Sequence, residues 1–159
     1  MIEPSQTPGF LWRLMRRLNQ RVVQNYLRGV GPGKVVLLLT TTGRKSGMPR
    51  HTPLQYEEYD RVYYVASARG SQADWFRNVQ ASPCVEVQIR ERCFRGLAEP
   101  ITDPERIADF LQLRLKRHPL FIGLLMRLER LPLRYTRADL VRFAGRKALV
   151  AIRPDAGAN

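Results

Sequence analysis

The chain is poor in the residues that build metal centres and covalent cross-links: 159 residues contain only two cysteines and two histidines. Cys84 and Cys93 fall in a stretch that reads as two adjacent strands with a turn near Glu91 and Arg92. In that register they do not face each other, so no disulfide is expected. Their spacing matches no zinc pattern, and His51 and His118 stand far apart without local ligand partners, so no metal site is expected either. Long apolar runs are also missing, because residues 35–39 and 120–126 fall well short of the ~18 residues that span a membrane. The front, with Glu3 and Pro4, lacks the apolar core of a secretory leader. The expected location is therefore the cytoplasm, or the cytosolic face of a membrane. There is no internal repeat, no low-complexity tract, no G-x-x-x-x-G-K-[ST] phosphate loop and no G-x-G-x-x-G dinucleotide fingerprint.

Acidic residues are scarce as well. Fourteen stand against 27 lysines and arginines, a formal net charge of +13. Such an excess calls for an anionic partner: a phosphorylated cofactor, an anionic membrane surface or nucleic acid. The imbalance is steepest in residues 1–50, where Arg13, Arg16, Arg17, Arg21, Arg28, Lys34, Arg44, Lys45 and Arg50 face a single acid, Glu3. Apolar residues make up 44% and charged residues 26%, the composition of one ordinary globular domain rather than of a disordered chain.

The apolar pattern divides the chain. From 10 to 28, Phe10, Leu11, Leu14, Met15, Leu18, Val22 and Tyr26 recur at helical spacing among arginines, which predicts an amphipathic basic helix. The glycines and proline of 29–33 end it. Residues 34–42 are β-branched and leucine-rich and read as a strand buried on both faces. Strands follow over 50–58 and 62–68, joined by a tight turn at 59–61. A short helix carrying Asp74, Trp75, Phe76 and Asn78 ends at Ser82 and Pro83, and strands over 84–90 and 93–101 come next. Asp103 and Pro104 start a helix reaching about Arg117. Pro119 begins another, expected to turn Phe121, Leu124, Leu125 and Leu128 inward. Thr136 and Asp139 form a capping box, and 147–153 closes the fold as a last strand. This order suits an antiparallel barrel with a helical insertion rather than a doubly wound sheet. The expected organisation is a basic helix and linker over 1–33, a mainly β domain with helices over 34–153, and a loose, disordered tail over 154–159.

The chemistry concentrates in residues 39–56, LTTTGRKSGMPRHTPLQY. A turn between two strands presents Arg44, Lys45 and Ser46 between Gly43 and Gly47, with Arg50 just beyond. Guanidinium forks, an ammonium and converging backbone N–H groups can hold phosphate or polycarboxylate. The same residues are also compatible with a solvated hairpin that merely has a basic tip.

The segment TTGRKSG followed by PR, TPL and Tyr56 resembles the phosphate-binding loop of the deazaflavin-dependent nitroreductases. A second block resembles the same family: Ala66, Ser67 and Gly70, then Asp74 to Val79 with Trp75 and Asn78, then Ala81, Pro83, Val85 and Val87. Together the blocks cover about one third of the chain, in family order. The resemblance implies a split β-barrel of the FMN-binding type, coenzyme F420 as cofactor, and hydride transfer to an organic acceptor such as a quinone, nitroaromatic or enone. It implies that Arg44, Lys45, Ser46, Gly47 and Arg50 hold the phosphate and polyglutamate end. Thr52, Pro53 and Leu54 would line the ring, Ala66 and Ser67 would contact it from the next strand, and Trp75 and Asn78 would close the site. Arg69 stands where the family has a glycine and would add charge near Ala68, where lysine is common. Tyr56 and Tyr135 are candidates for the acceptor site. Trp75 and Phe76 also suit a plain plug of the barrel end.

Other readings keep the fold and change the ligand, with FMN in place of the deazaflavin, or a stored fatty acid or tetrapyrrole without catalysis. A nucleic-acid module is the third class, but no RNA-recognition signature, finger or base-reading helix is present, so no specific nucleic acid is expected. The N-terminal helix, with Phe10, Leu11, Trp12 and Leu14 along one edge, suits either an interfacial helix on an anionic membrane or a helix packed on its own barrel. Pairing into a homodimer stays open.

Overall fold

Two-residue alternation organises most of the chain, and a closed sheet is the result. The computed structural model describes Arg17, Gln20, Arg21, residues 36–67 and residues 69–157. Most of the predicted N-terminal helix therefore lies outside the described residues, as do Ala68 and the last two residues of the tail. Arg17, Gln20 and Arg21 themselves are helical and exposed.

Six strands, β1 (Val36–Thr42), β2 (Pro49–Tyr59), β3 (Val62–Ser67), β4 (Cys84–Ile89), β5 (Arg92–Ile101) and β6 (Ala148–Pro154), close into a barrel in the order β1-β2-β3-β6-β5-β4. Every neighbouring pair is antiparallel. Closure gives every strand a neighbour on both sides and carries the last strand, β6, between β3 and β5. The expected antiparallel barrel with a helical insertion before the final strand is what forms. The β2–β3 connection is a two-residue turn in which Asp60 and Arg61 both take left-handed conformations (φ 51° and 60°), the twist that suits a tight hairpin. In the β4–β5 ladder Cys84 lies opposite Leu97 and Cys93 opposite Gln88, so both cysteines are free.

Alternation sorts side chains into two apolar layers. Leu37 and Leu39 of β1, Tyr63 and Val65 of β3, Val85 and Val87 of β4, and Val150 and Ile152 of β6 fill the barrel interior. Leu149 and Ala151 of β6 point the other way, into a second cluster under the helices. The residues of β6 from Ala148 to Ile152 are all buried, as are Leu37, Leu38 and Leu39 of β1, the strand expected to be covered on both faces.

Among residues 69–157, four α-helices complete the fold. Helix α1 (Asp74–Ala81), reached through a single 3-10 turn at Gly70–Gln72, caps one barrel end with Trp75, Phe76 and Val79. Helix α2 (Pro104–Arg117) starts at Asp103, whose carboxylate accepts from the Glu105 N–H at 3.1 Å. Helix α3 (Pro119–Leu128) follows at once. Helix α4 (Arg137–Ala144) opens on the expected box, in which the Thr136 hydroxyl accepts from the Asp139 N–H and the Asp139 carboxylate from the Thr136 N–H. The orientation expected for α3 is corrected. Ile122 and Met126 face the core, Leu125 is half-buried, and Leu124 and Leu128 face outward. The side chain of Phe121 lies outside what is described. Apolar residues surround α3 almost completely, so periodicity alone could not select the face that packing against α2 buries.

Polar anchors tie the helical layer to the barrel, Arg106 of α2 to Glu99 of β5 at 2.8 Å among them. Glu57 of β2 is 9% exposed and meets Arg117 at 2.7 Å, His118 at 3.6 Å and Arg114 at 4.0 Å. Arg117 also donates to the Glu58 carbonyl at 2.9 Å, joining the end of α2 to the end of β2. Burial lowers the affinity of Arg114 for its proton while Glu57 opposes that shift.

Candidate functional site

The β1–β2 turn sits at the barrel end that α1 covers, and a small set of hydrogen bonds makes it rigid. The Gly43 N–H donates to the Met48 carbonyl at 2.8 Å and the Gly47 N–H to the Gly43 carbonyl at 2.7 Å. The Met48 N–H reaches the Ser46 hydroxyl at 3.3 Å. Both glycines are required. A Cβ on Gly43 would lie 2.7 Å from Ser46 Oγ and 3.1 Å from the Met48 carbonyl, and Gly47 holds φ at +67°.

Arg44 locks the turn onto α1. Its backbone N–H and its Nη1 both donate to Asn78 Oδ1, at 3.2 and 3.0 Å, and its Nη2 meets Asp74 Oδ1 at 2.9 Å. Asn78 in turn donates to the buried Thr41 hydroxyl at 3.3 Å. Asn78 thus joins turn, strand and helix from a nearly dry position, where loss of a partner is costly. The guanidinium of Arg44 holds the Asp74 carboxyl below the ordinary carboxylate range, with help from Arg77 and Arg69. Arg44, expected on the phosphate, has its fork committed to the protein.

What remains free is the cationic rim. Lys45, Arg50 and Arg69 are exposed, and none makes an ion pair among the described residues. Within the turn the N–H groups of Gly43, Arg44, Gly47 and Met48 are used, which leaves those of Lys45 and Ser46 without a partner among the described residues. Directly paired residues share a face, so Arg50 lies beside Thr41, Thr52 beside Leu39 and Leu54 beside Leu37, in a row that leads from the turn toward the barrel interior.

The other expected residues divide. Ser67 is buried on the inward face of β3, whereas Ala66 packs against the helical cluster, and Pro53 stands on the opposite face of β2 from Thr52 and Leu54. Trp75 is buried in the inner core, its ring 6.0 Å from Phe76 in an edge-on arrangement. Tyr56 leans on Tyr63 at 5.9 Å near the far barrel end, about 20 Å from Arg50 at ordinary strand rise. Burial raises its phenol above the ordinary range, with Glu58 adding to the effect and Arg90 opposing it. Tyr135 is exposed just before α4, away from the turn in sequence and layer. Two participants were missed, Thr41 and Asp74. The signal for Asp74 was its place in the first turn of α1; a threonine on a threonine-rich strand carries none.

Among the described residues no three of histidine, cysteine, aspartate or glutamate gather as a metal site. A recess of about 320 Å³ lies between the end of α3 and the start of β6, lined by Glu129, Phe143, Arg146 and Lys147. Lys147 closes it by pairing with Glu129.

This barrel is shared with several solved structures. One, an F420-H2-dependent reductase, is 22% identical, with a TM-score of 0.50 over 76% of this chain and 95% of its own. Another, described as a domain-swapped dimer, is 20% identical, with a TM-score of 0.53 over 94% of this chain and all of its own. A third, the conserved protein Rv2991 of Mycobacterium tuberculosis, is 17% identical, with a TM-score of 0.52 over 76% and 72%. At these identities the likeness defines the fold class.

The chain belongs to the F420H(2)-dependent quinone reductase family, whose model matches residues 12–133. A curated relative, the F420H(2)-dependent quinone reductase Rv1261c of Mycobacterium tuberculosis, is 34% identical over 74 residues, 43% of this chain and 50% of the relative. The match thus spans about half the length of that protein. The family match ends at residue 133, before α4 and β6.

Proposed function

We propose that the chain is an oxidoreductase that uses reduced coenzyme F420 to reduce a quinone. The observation that carries this reading is the rim of three cations unpaired among the described residues, Lys45, Arg50 and Arg69, near a turn with two N–H groups left over. A cofactor that ends in phosphate and carboxylates matches that donor set in sign and in reach. Lys45, Ser46 and Arg50 hold its anionic end, and Arg44, spent on Asp74 and Asn78, positions them.

When bound, the deazaflavin supplies a hydride from its central ring carbon. Thr52 and Leu54 orient the ring along β2, with Ser67 offering a hydroxyl from the neighbouring strand. The buried core behind them excludes water from that side. Reduction of a quinone consumes one hydride and one proton. The proton comes from water or from a phenol, and Tyr56, on the same face of β2 as Thr52 and Leu54, is the tyrosine offered for it. Residues 34–153 form the working unit. The protein acts in the cytoplasm, with peripheral contact at the inner face of the membrane where lipid-soluble quinones reside; among the described residues no helix is long and apolar enough to cross a membrane.

Fluorescence titration with reduced coenzyme F420 and with FMN tests the reading. Lys45→Glu with Arg50→Glu should weaken F420 binding by about tenfold or more, with no change in thermal stability. An unchanged affinity, or tight FMN binding with none for F420, would refute it. An acceptor panel of quinones, nitroaromatics and enones then identifies the oxidant.

A further inference from the structure

The helical layer carries a surface that hydride transfer does not use. Of the exposed large apolar side chains, Leu120, Leu124, Leu128, Leu133 and Tyr135 all fall within residues 120–135. Leu120, Leu124 and Leu128 recur every four residues along one side of α3 and are 89%, 58% and 75% exposed, while Met126 on the other side is 4% exposed. Leu133 continues the stripe past the helix end at 71% exposure. Soluble surfaces scatter single leucines, but a stripe of four has a use.

The charges that adjoin the stripe in sequence are almost all of one sign, while the exposed Glu58 stands near the end of α2. Lys116, Arg127, Arg130 and Arg134 are exposed and make no ion pair among the described residues. The one acid between 114 and 137, Glu129, is taken by Lys147. Arg130 sits at the left-handed position that ends α3 (φ 75°), where glycine is the usual residue.

We propose that this face docks on an anionic lipid bilayer, with the leucines entering the boundary between headgroups and acyl chains and the four cations on lipid phosphates. Charge selects the occupant. A second copy would set the same arginines against one another across a two-fold axis, on a chain already at +13, whereas an anionic leaflet complements them. Leucine on one side with lysine and arginine around it is the composition that holds a helix in the membrane interface. The proposal rests on this surface and not on the cofactor, so it is tested without one.

The experiment is co-sedimentation of the full chain with vesicles of phosphatidylcholine alone and of phosphatidylcholine mixed with phosphatidylglycerol. Binding to the mixed vesicles, weakened by salt, is expected. Leu124→Ser with Leu128→Ser should lower partitioning by about tenfold, and Arg127→Gln with Arg134→Gln by a similar factor. All four side chains are exposed, so circular dichroism and melting should match the parent. A Leu124→Trp variant should shift its fluorescence to the blue on mixed vesicles. Equal binding to both vesicle types, insensitivity to the leucine pair, or a dimer in sedimentation equilibrium that the leucine pair dissociates would each overturn the proposal.

Discussion

The β1–β2 turn and the outer face of α3 are both cationic and both exposed, yet they are built in opposite ways. At the turn every polar group that could wander is tied: two glycines close it, Arg44 is held by Asp74 and Asn78, and only Lys45, Arg50 and two N–H groups point outward. On the α3 face no cation is paired among the described residues, and exposed leucines stand beside Arg127 and, past the helix end, Arg130 and Arg134. A pre-ordered cradle suits one small anion, because the entropy of ordering it is already spent in folding. A loose apolar and basic stripe suits an extended, fluid surface that needs no fixed geometry.

The contrast breaks most visibly inside α3. Met126→Ala should destabilise the fold by about 2–4 kcal/mol, since it empties part of the outer core, while Leu128→Ala on the same helix should change stability by under about 0.5 kcal/mol. Urea denaturation of both variants checks this. Equal costs would mean that the leucine face is covered.

At the turn the largest loss should come from Asn78→Ala. It leaves the Thr41 hydroxyl and two Arg44 donors without their partner, at a cost of about 2 kcal/mol, and should weaken cofactor binding although Asn78 need not touch the cofactor. Lys45→Glu with Arg50→Glu should do the reverse, weakening binding by about tenfold, or about 1.4 kcal/mol, with stability intact. If the two variants behave alike, fastening and holding are not separate tasks.

The smallest effect belongs to Asp74. Its carboxylate is 80% exposed, so solvent screens the Arg44 pair and Asp74→Asn should cost less than about 1 kcal/mol. Because the folded-state value is depressed, the contribution is complete at neutral pH and is lost as the pH falls through and below the ordinary carboxylate range, near 4. Acid titration of melting temperature, parent against Asp74→Asn, should show the two curves converging at low pH. A difference that grows toward acid would reverse the assignment.

Much of this molecule was legible beforehand. Strict alternation in β4, the leucine run of β1, the caps at Asp103 and Thr136 and the turn at Asp60 are local signals, and each produced the expected element. The site was legible only as a list. That Arg44 would spend its charge on α1, that Ala66 and Ser67 would part to opposite faces of β3, and that Tyr56 would lie far along β2 from Arg50 follow from barrel closure and register, which join residues distant in sequence.

Glu57 shows the same division. Nothing near it in the chain announces a buried carboxylate, because its partners Arg114, Arg117 and His118 arrive from a helix some sixty residues on. Period, capping and turn chemistry act over a few residues, so the order and kind of the elements were written locally. Which face of α3 is covered, which arginines are spent and which remain open depended on how closure and packing brought distant segments together, and those contacts have no local signature.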